Sequence, residues 1–96
     1  LSDPLIGMPV EFSIAAIYPN PFNSSTTIRF GVDVNSLTTL RVFDVMGREV
    51  DVLYSNTGDI GWKTVVWNAD QLPSGIYIFR LESIGRVKIA KTALMR

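Results

Sequence analysis

The chain has 96 residues, neither cysteine nor histidine, and nine Lys/Arg balanced by nine Asp/Glu. That is one domain's length and too short for two cores. A hydrophobic fraction of 47% excludes a disordered chain, which needs low hydropathy and high net charge. Zero net charge leaves no global field to attract nucleic acid or anionic lipid. Missing Cys and His remove the disulfide, the thiolate, the commonest general base and the softer metal ligands. No apolar run reaches the ~20 residues of a membrane-spanning helix.

The chain opens Leu1-Ser2-Asp3-Pro4, without a start Met or a basic leader. Residues 1–9 are therefore expected to be a lead-in from an upstream protein, and residues 10–96 the domain. From there period-2 alternation dominates and marks seven strands. The first, Val10 to Ile17, ends at Tyr18-Pro19-Asn20-Pro21, where neither proline can donate to a ladder. The second, Ser25 to Val32, turns Thr26, Ile28, Phe30 and Val32 to one face. The third, Thr38 to Val45, points Leu40 and Val42 inward and stops at Met46-Gly47-Arg48, with Gly47 suited to positive φ. The fourth is Glu49 to Tyr54, and the fifth, Trp62 to Asn68, offers Val65 and Trp67 to one face. Leu72-Pro73-Ser74-Gly75 leads into the sixth, Ile76 to Ser83, and Gly85 turns the chain into the last, Arg86 to Met95.

Seven short strands between Gly, Pro, Asn and Ser signals are the pattern of an all-β sandwich or barrel. Tyr77, just after Gly75, fits a tyrosine corner, whose phenol bonds the backbone upstream and pins a Greek-key crossing. The fold expected is a seven-stranded, immunoglobulin-like antiparallel β-sandwich.

Catalysis finds no residues to use. Lys63, Lys88 and Lys91 lie in strand patterns, and no serine sits in a nucleophile elbow. Asn56, Asp59, Asn68 and Asp70 lack the alternating spacing of a calcium loop. No glycine-rich phosphate loop occurs. The expectation is no catalytic residue, no cofactor, no metal and no nucleic-acid partner.

Three segments are distinctive: Tyr18-Pro19-Asn20-Pro21-Phe22-Asn23, the run Val42 to Val50 around Asp44-Val45-Met46-Gly47-Arg48, and Leu72 to Leu81 with Gly75-Ile76-Tyr77. With the basic tail Lys88 to Arg96, and in this order, they resemble the C-terminal sorting domain of cargo proteins of the type IX (Por) secretion system. The resemblance spans residues 11–96; Ser24 stands where many relatives carry proline, and a serine still forms the turn. It implies the last domain of a larger exported enzyme or adhesin, recognised by outer-membrane secretion machinery and in many relatives removed by a sortase-like peptidase. It also implies passage through the periplasm to the surface or medium. A homodimer of the isolated domain stays open. The alternative is a structural or carbohydrate-binding accessory module, like the cousin domain of flagellar hook-capping proteins or a glycoside hydrolase appendage. Trp62 and Tyr54 would then carry the sugar.

Within that resemblance, Pro19, Asn20, Pro21, Phe22, Gly47, Gly75 and Tyr77 are expected to serve the fold, with Phe22 either plugging the sandwich end or anchoring a partner. Asp44 and Arg48 bracket a turn, and Arg80 points away from Tyr77 and Phe79. In the last strand Val87, Ile89, Lys91, Ala93 and Met95 form the more apolar face, which Lys91 interrupts as an edge-strand charge does. Recognition is expected on Lys88, Lys91, Thr92, Ala93, Leu94, Met95 and Arg96, with Arg80, Arg48 and Asp44 contributing. Strand addition to that edge is one route.

Overall fold

Alternating apolar side chains in every extended run need a second apolar layer, and two sheets supply it to each other. The computed structural model describes residues 9–96 and contains seven strands. They are β1 (Ser13–Tyr18), β2 (Ser25–Val32), β3 (Thr38–Asp44), β4 (Glu49–Asn56), β5 (Gly61–Asn68), β6 (Gly75–Ser83) and β7 (Arg86–Leu94). One sheet has the order β1-β2-β5, the other β4-β3-β6-β7, and every strand pair is antiparallel. The expected immunoglobulin-like β-sandwich is therefore the fold. The lead-in expected at 1–9 lies, Pro9 apart, outside the described residues.

The core is built from the predicted faces. Thr26, Ile28, Phe30 and Val32 of β2 oppose Leu40 and Val42 of β3 and Tyr77, Phe79 and Leu81 of β6, all buried. Trp67 of β5 is 1% exposed and meets Tyr77 and Phe79 edge-on, at centroid separations of 5.3 and 5.5 Å. Such edge contacts add to area burial because the positive ring edge meets the negative face. The buried hydroxyl of Thr38 bonds Ser83 Oγ at 3.2 Å and so satisfies itself across the β3–β6 pair.

Two expectations need correction. The first strand starts at Ser13, three residues later than the alternation suggests. Phe12 drops into the core instead of extending the ladder, and Ala15 is the extra residue of a bulge opposite β2. Gly31 permits this approach, because a Cβ there would collide with the Glu11 carbonyl. In β7 the face taken for the apolar one points outward. Thr92 and Leu94 are buried, whereas Val87, Ile89, Lys91 and Met95 are exposed. The apolar count points the wrong way here because the inward face begins with two charged residues, Arg86, which covers the Phe12 ring, and the exposed Lys88.

The β6–β7 hairpin turns through Ile84 and Gly85, with φ of +45° and +77°. Two positive φ angles suit the right-handed strand twist and favour Asn-Gly. A β-branched residue in that region is strained, and Ile84 is exposed, so no burial offsets it. Ile84→Asn is expected to raise stability by ~1 kcal/mol, seen as a higher urea midpoint at unchanged slope; a lower midpoint would show that the turn does not strain Ile84.

Candidate functional site: the fastened terminal strand

An edge strand exposes unpaired backbone groups unless something covers them. β7 is an edge of the four-stranded sheet, and the last part of its far side, Lys91 to Met95, is covered by the chain that follows β1. Pro19 and Pro21, both after cis peptide bonds, turn this chain across to β7. Asn20 Oδ1 accepts from the Ala93 amide at 3.2 Å and from Thr92 Oγ1 at 3.1 Å, while its Nδ2 donates to the Lys91 carbonyl at 3.3 Å. Phe22 then forms a parallel bridge with Leu94: its amide donates to the Ala93 carbonyl at 3.0 Å, and its carbonyl accepts from the Met95 amide at 2.8 Å. The Phe22 ring is 3% exposed and packs 5.7 Å from Trp67, so it plugs the sandwich end. The Lys91 carbonyl, both backbone groups of Ala93 and the Met95 amide are thus occupied, which leaves strand addition at this stretch fewer open groups.

The last residue is held as well. Arg96 donates from its amide to Ser74 Oγ at 3.2 Å, from Nε to the Leu72 carbonyl at 3.0 Å and from Nη2 to the Ala69 carbonyl. A guanidinium with five donors satisfies turn carbonyls that the β5–β6 crossing leaves over. The same crossing is pinned by Tyr77, whose hydroxyl donates to the Pro73 carbonyl at 2.7 Å, the geometry of a tyrosine corner.

Next to this end lies a cleft of about 430 Å³ between the β3–β4 turn and the β5–β6 crossing, lined among others by Met46, Arg48, Leu72, Pro73 and Ile76. Asp44 organises the turn: Oδ1 accepts the Met46 and Arg48 amides at 2.9 and 3.0 Å, and Oδ2 meets Arg48 Nε at 2.9 Å. The bond from the Arg48 amide, aided by its guanidinium, holds the Asp44 carboxyl below its ordinary pKa. Gly47, at φ +81°, closes the turn and leaves Val45 and Met46 exposed.

The structure thus brings together Asn20, Phe22, Thr92 to Arg96, Gly75 and Tyr77, with Asp44 and Arg48 across the cleft. It leaves three predicted residues elsewhere. Lys88 lies at the opposite end of β7, Lys91 points outward, and Arg80 sits mid-strand on the outer sheet face beside Glu82, at 3.0 Å. Sequence reasoning missed Asp33 and Phe12, which fasten the start of β7. Asp33 forms a two-pronged pair with Arg86, at 2.9 and 2.6 Å, and the guanidinium lies 4.2 Å from the Phe12 ring centroid. A partnership 53 residues apart leaves no local signal. Tyr54, which with Trp62 would carry sugar under the alternative reading, packs on Phe30 and bonds Asp59. Among the described residues no three His, Cys, Asp or Glu side chains gather as metal ligands would. What the site offers is shape, backbone geometry and a few displayed side chains.

The family model of the secretion system C-terminal sorting domain matches residues 16–95. No curated protein matches the chain. Among solved structures, the chain is similar to PorZ of Porphyromonas gingivalis, described as an essential bacterial surface component of the type IX secretion system. Identity is 22% and the TM-score 0.58, over 84% of this chain but only 11% of that one, a likeness of fold.

The fastening at Arg86 has a pH signature. Its hydrogen bonds hold the Asp33 carboxyl below the ordinary value, so the folded state binds a proton less readily than the unfolded one. The stabilisation is complete above the unfolded aspartate value of about 4 and fades as pH falls through the lower folded value. Melting temperature is expected to decline below about pH 4, and Asp33→Asn should lower it at pH 7 and flatten the decline. An equally steep decline in Asp33→Asn would assign the acid response to other carboxylates.

Proposed function

The chain belongs to the family of secretion system C-terminal sorting domains, and from that premise we propose how its signal is presented and by what it is met. Domains of this family are sorting signals for type IX secretion, not catalysts, and serve proteins exported to the cell surface or extracellular space. In our reading the domain closes a larger polypeptide whose upstream part is an enzyme or adhesin. That precursor passes the periplasm, outer-membrane proteins of the machinery meet the folded sandwich, and a sortase-like peptidase separates domain from cargo. The signal is the sandwich end where Asn20 to Phe22, Leu72 to Tyr77 and Thr92 to Arg96 adjoin.

The observation that supports this reading most is the overlap of motif and geometry. The Pro19–Phe22 bend, the run from Leu72 and the terminal tail, which carry the family resemblance together with the Val42–Val50 run, are far apart in sequence, yet these three bond one another through Asn20, Phe22 and Arg96. Phe22 and Tyr77 are buried and serve the fold, which leaves the Val45-Met46 tip, Ile76, Met95 and the Arg48 head displayed.

The test is export of a reporter bearing an N-terminal secretion signal and residues 1–96 at its C-terminus, in a bacterium with type IX machinery. The wild-type fusion is expected outside the cell and its Thr92–Arg96 deletion inside. In a strain lacking the machinery the wild-type fusion should be retained. Equal export with and without the machinery, or export undiminished by the deletion, would contradict the reading.

A further inference from the structure

The two outer faces of the sandwich differ in chemistry. On the three-stranded sheet Ser25 stands opposite Asn68, Thr27 opposite the exposed Val66 and Arg29 opposite Thr64, a face with one arginine. On the four-stranded sheet Arg41 of β3 stands directly opposite Arg80 of β6. Next along the same face come Val52 on β4 and Ile89 on β7, with Phe43 paired to Ile78 in the adjoining row. Ile89 is 61% exposed.

Like charges directly opposite on one sheet face oppose pairing, so the arginine pair does not serve the ladder. Among the described residues each guanidinium has a single carboxylate contact: Glu49 to Arg41 Nη1 at 3.3 Å and Glu82 to Arg80 Nη2 at 3.0 Å. Five donors per guanidinium leave most of the fork unused. Both Nε atoms are buried and lack a hydrogen-bond partner among the described residues. Arg80 is also preoriented, stacked 5.5 Å over the Phe43 ring. Arginine and aromatic side chains among exposed aliphatics are the composition of interface centres, whereas lone surface charges are not.

We propose that this outer face is a docking surface on which Arg41 and Arg80 together take a carboxylate from an extended partner segment that alternates acidic and apolar residues. Charge selects the occupant. Glu49 and Glu82 each engage one nitrogen of one fork, whereas an Asp or Glu between apolar residues can meet the unused donors of both forks at once. The partner's placement in the export machinery rests on the sorting reading; the carboxylate chemistry does not.

The test uses the 96-residue chain, which encloses its own core, and follows its amide resonances while a nine-residue peptide of alternating Val and Glu is added. Shifts are expected at Arg41, Arg80 and Ile89, with affinity at least about tenfold above the Val-Gln counterpart. The double variant Arg41→Gln, Arg80→Gln should lose that preference while melting within about 3 °C of wild type. Arg29→Gln, on the opposite face, should bind as wild type. Equal affinity for both peptides, shifts centred on β2 and β5, self-association through Ile89, or no shift at millimolar peptide would each overturn the proposal. In cells the double variant should lower reporter export about fivefold, and undiminished export would remove the face from the export contact while leaving the sorting reading intact. Failure of the wild-type fusion to be exported would count against the sorting reading alone, and the titration would still decide the carboxylate site.

Discussion

The interaction on which the rest depends is the hydrogen-bonded contact between Asn20–Phe22 and the far edge of β7. A strand that ends a sheet also ends its cooperativity, because one side of its backbone faces water. Here the final part of that side, from Lys91 to Met95, is taken by the bend after β1. Asn20 serves Lys91, Thr92 and Ala93, and Phe22 serves Ala93 and Met95. The bend therefore closes the sandwich at the corner where the chain would otherwise fray. Phe22 adds its ring to the Trp67 cluster, so the polar latch and the apolar core reinforce each other.

β7 is in effect fastened at both ends. At its start, Arg86 is held by Asp33 and lies against Phe12; at its finish, Arg96 caps carbonyls of the β5–β6 crossing. Between the fastenings its inward face contributes Thr92 and Leu94 to the core, and its outward face leaves Val87, Ile89 and Lys91 to solvent. A surface assembled from residues 20–22, 72–77 and 92–96 exists only in the folded chain. If that surface is the sorting signal, as proposed, a machine that reads it reads completed folding at the same time as identity.

Much of this was legible in the residues. The bounds of β2 follow from four inward residues in strict alternation, and the tyrosine corner from Gly75-Ile76-Tyr77. Those signals are local, and period 2 states them directly. The face of β7 was not legible, because Val87, Ile89 and Met95 outnumber the apolar residues of the face that is buried. Asn20 resembled a turn residue; its side chain reaches a strand more than seventy residues away. The Asp33–Arg86 pair and the Arg41–Arg80 juxtaposition depend on sheet order and register, which alternation alone does not specify.

Native-state amide hydrogen exchange at Ala93 and Met95 tests the central claim most directly, since these amides donate to Asn20 Oδ1 and to the Phe22 carbonyl. If the terminal strand is fastened as described, both amides exchange with protection comparable to Phe79 and Leu81 in the core, and Asn20→Ala releases Ala93 first. Exchange of both at the rate of a fraying chain end, unchanged by Asn20→Ala, would contradict the account.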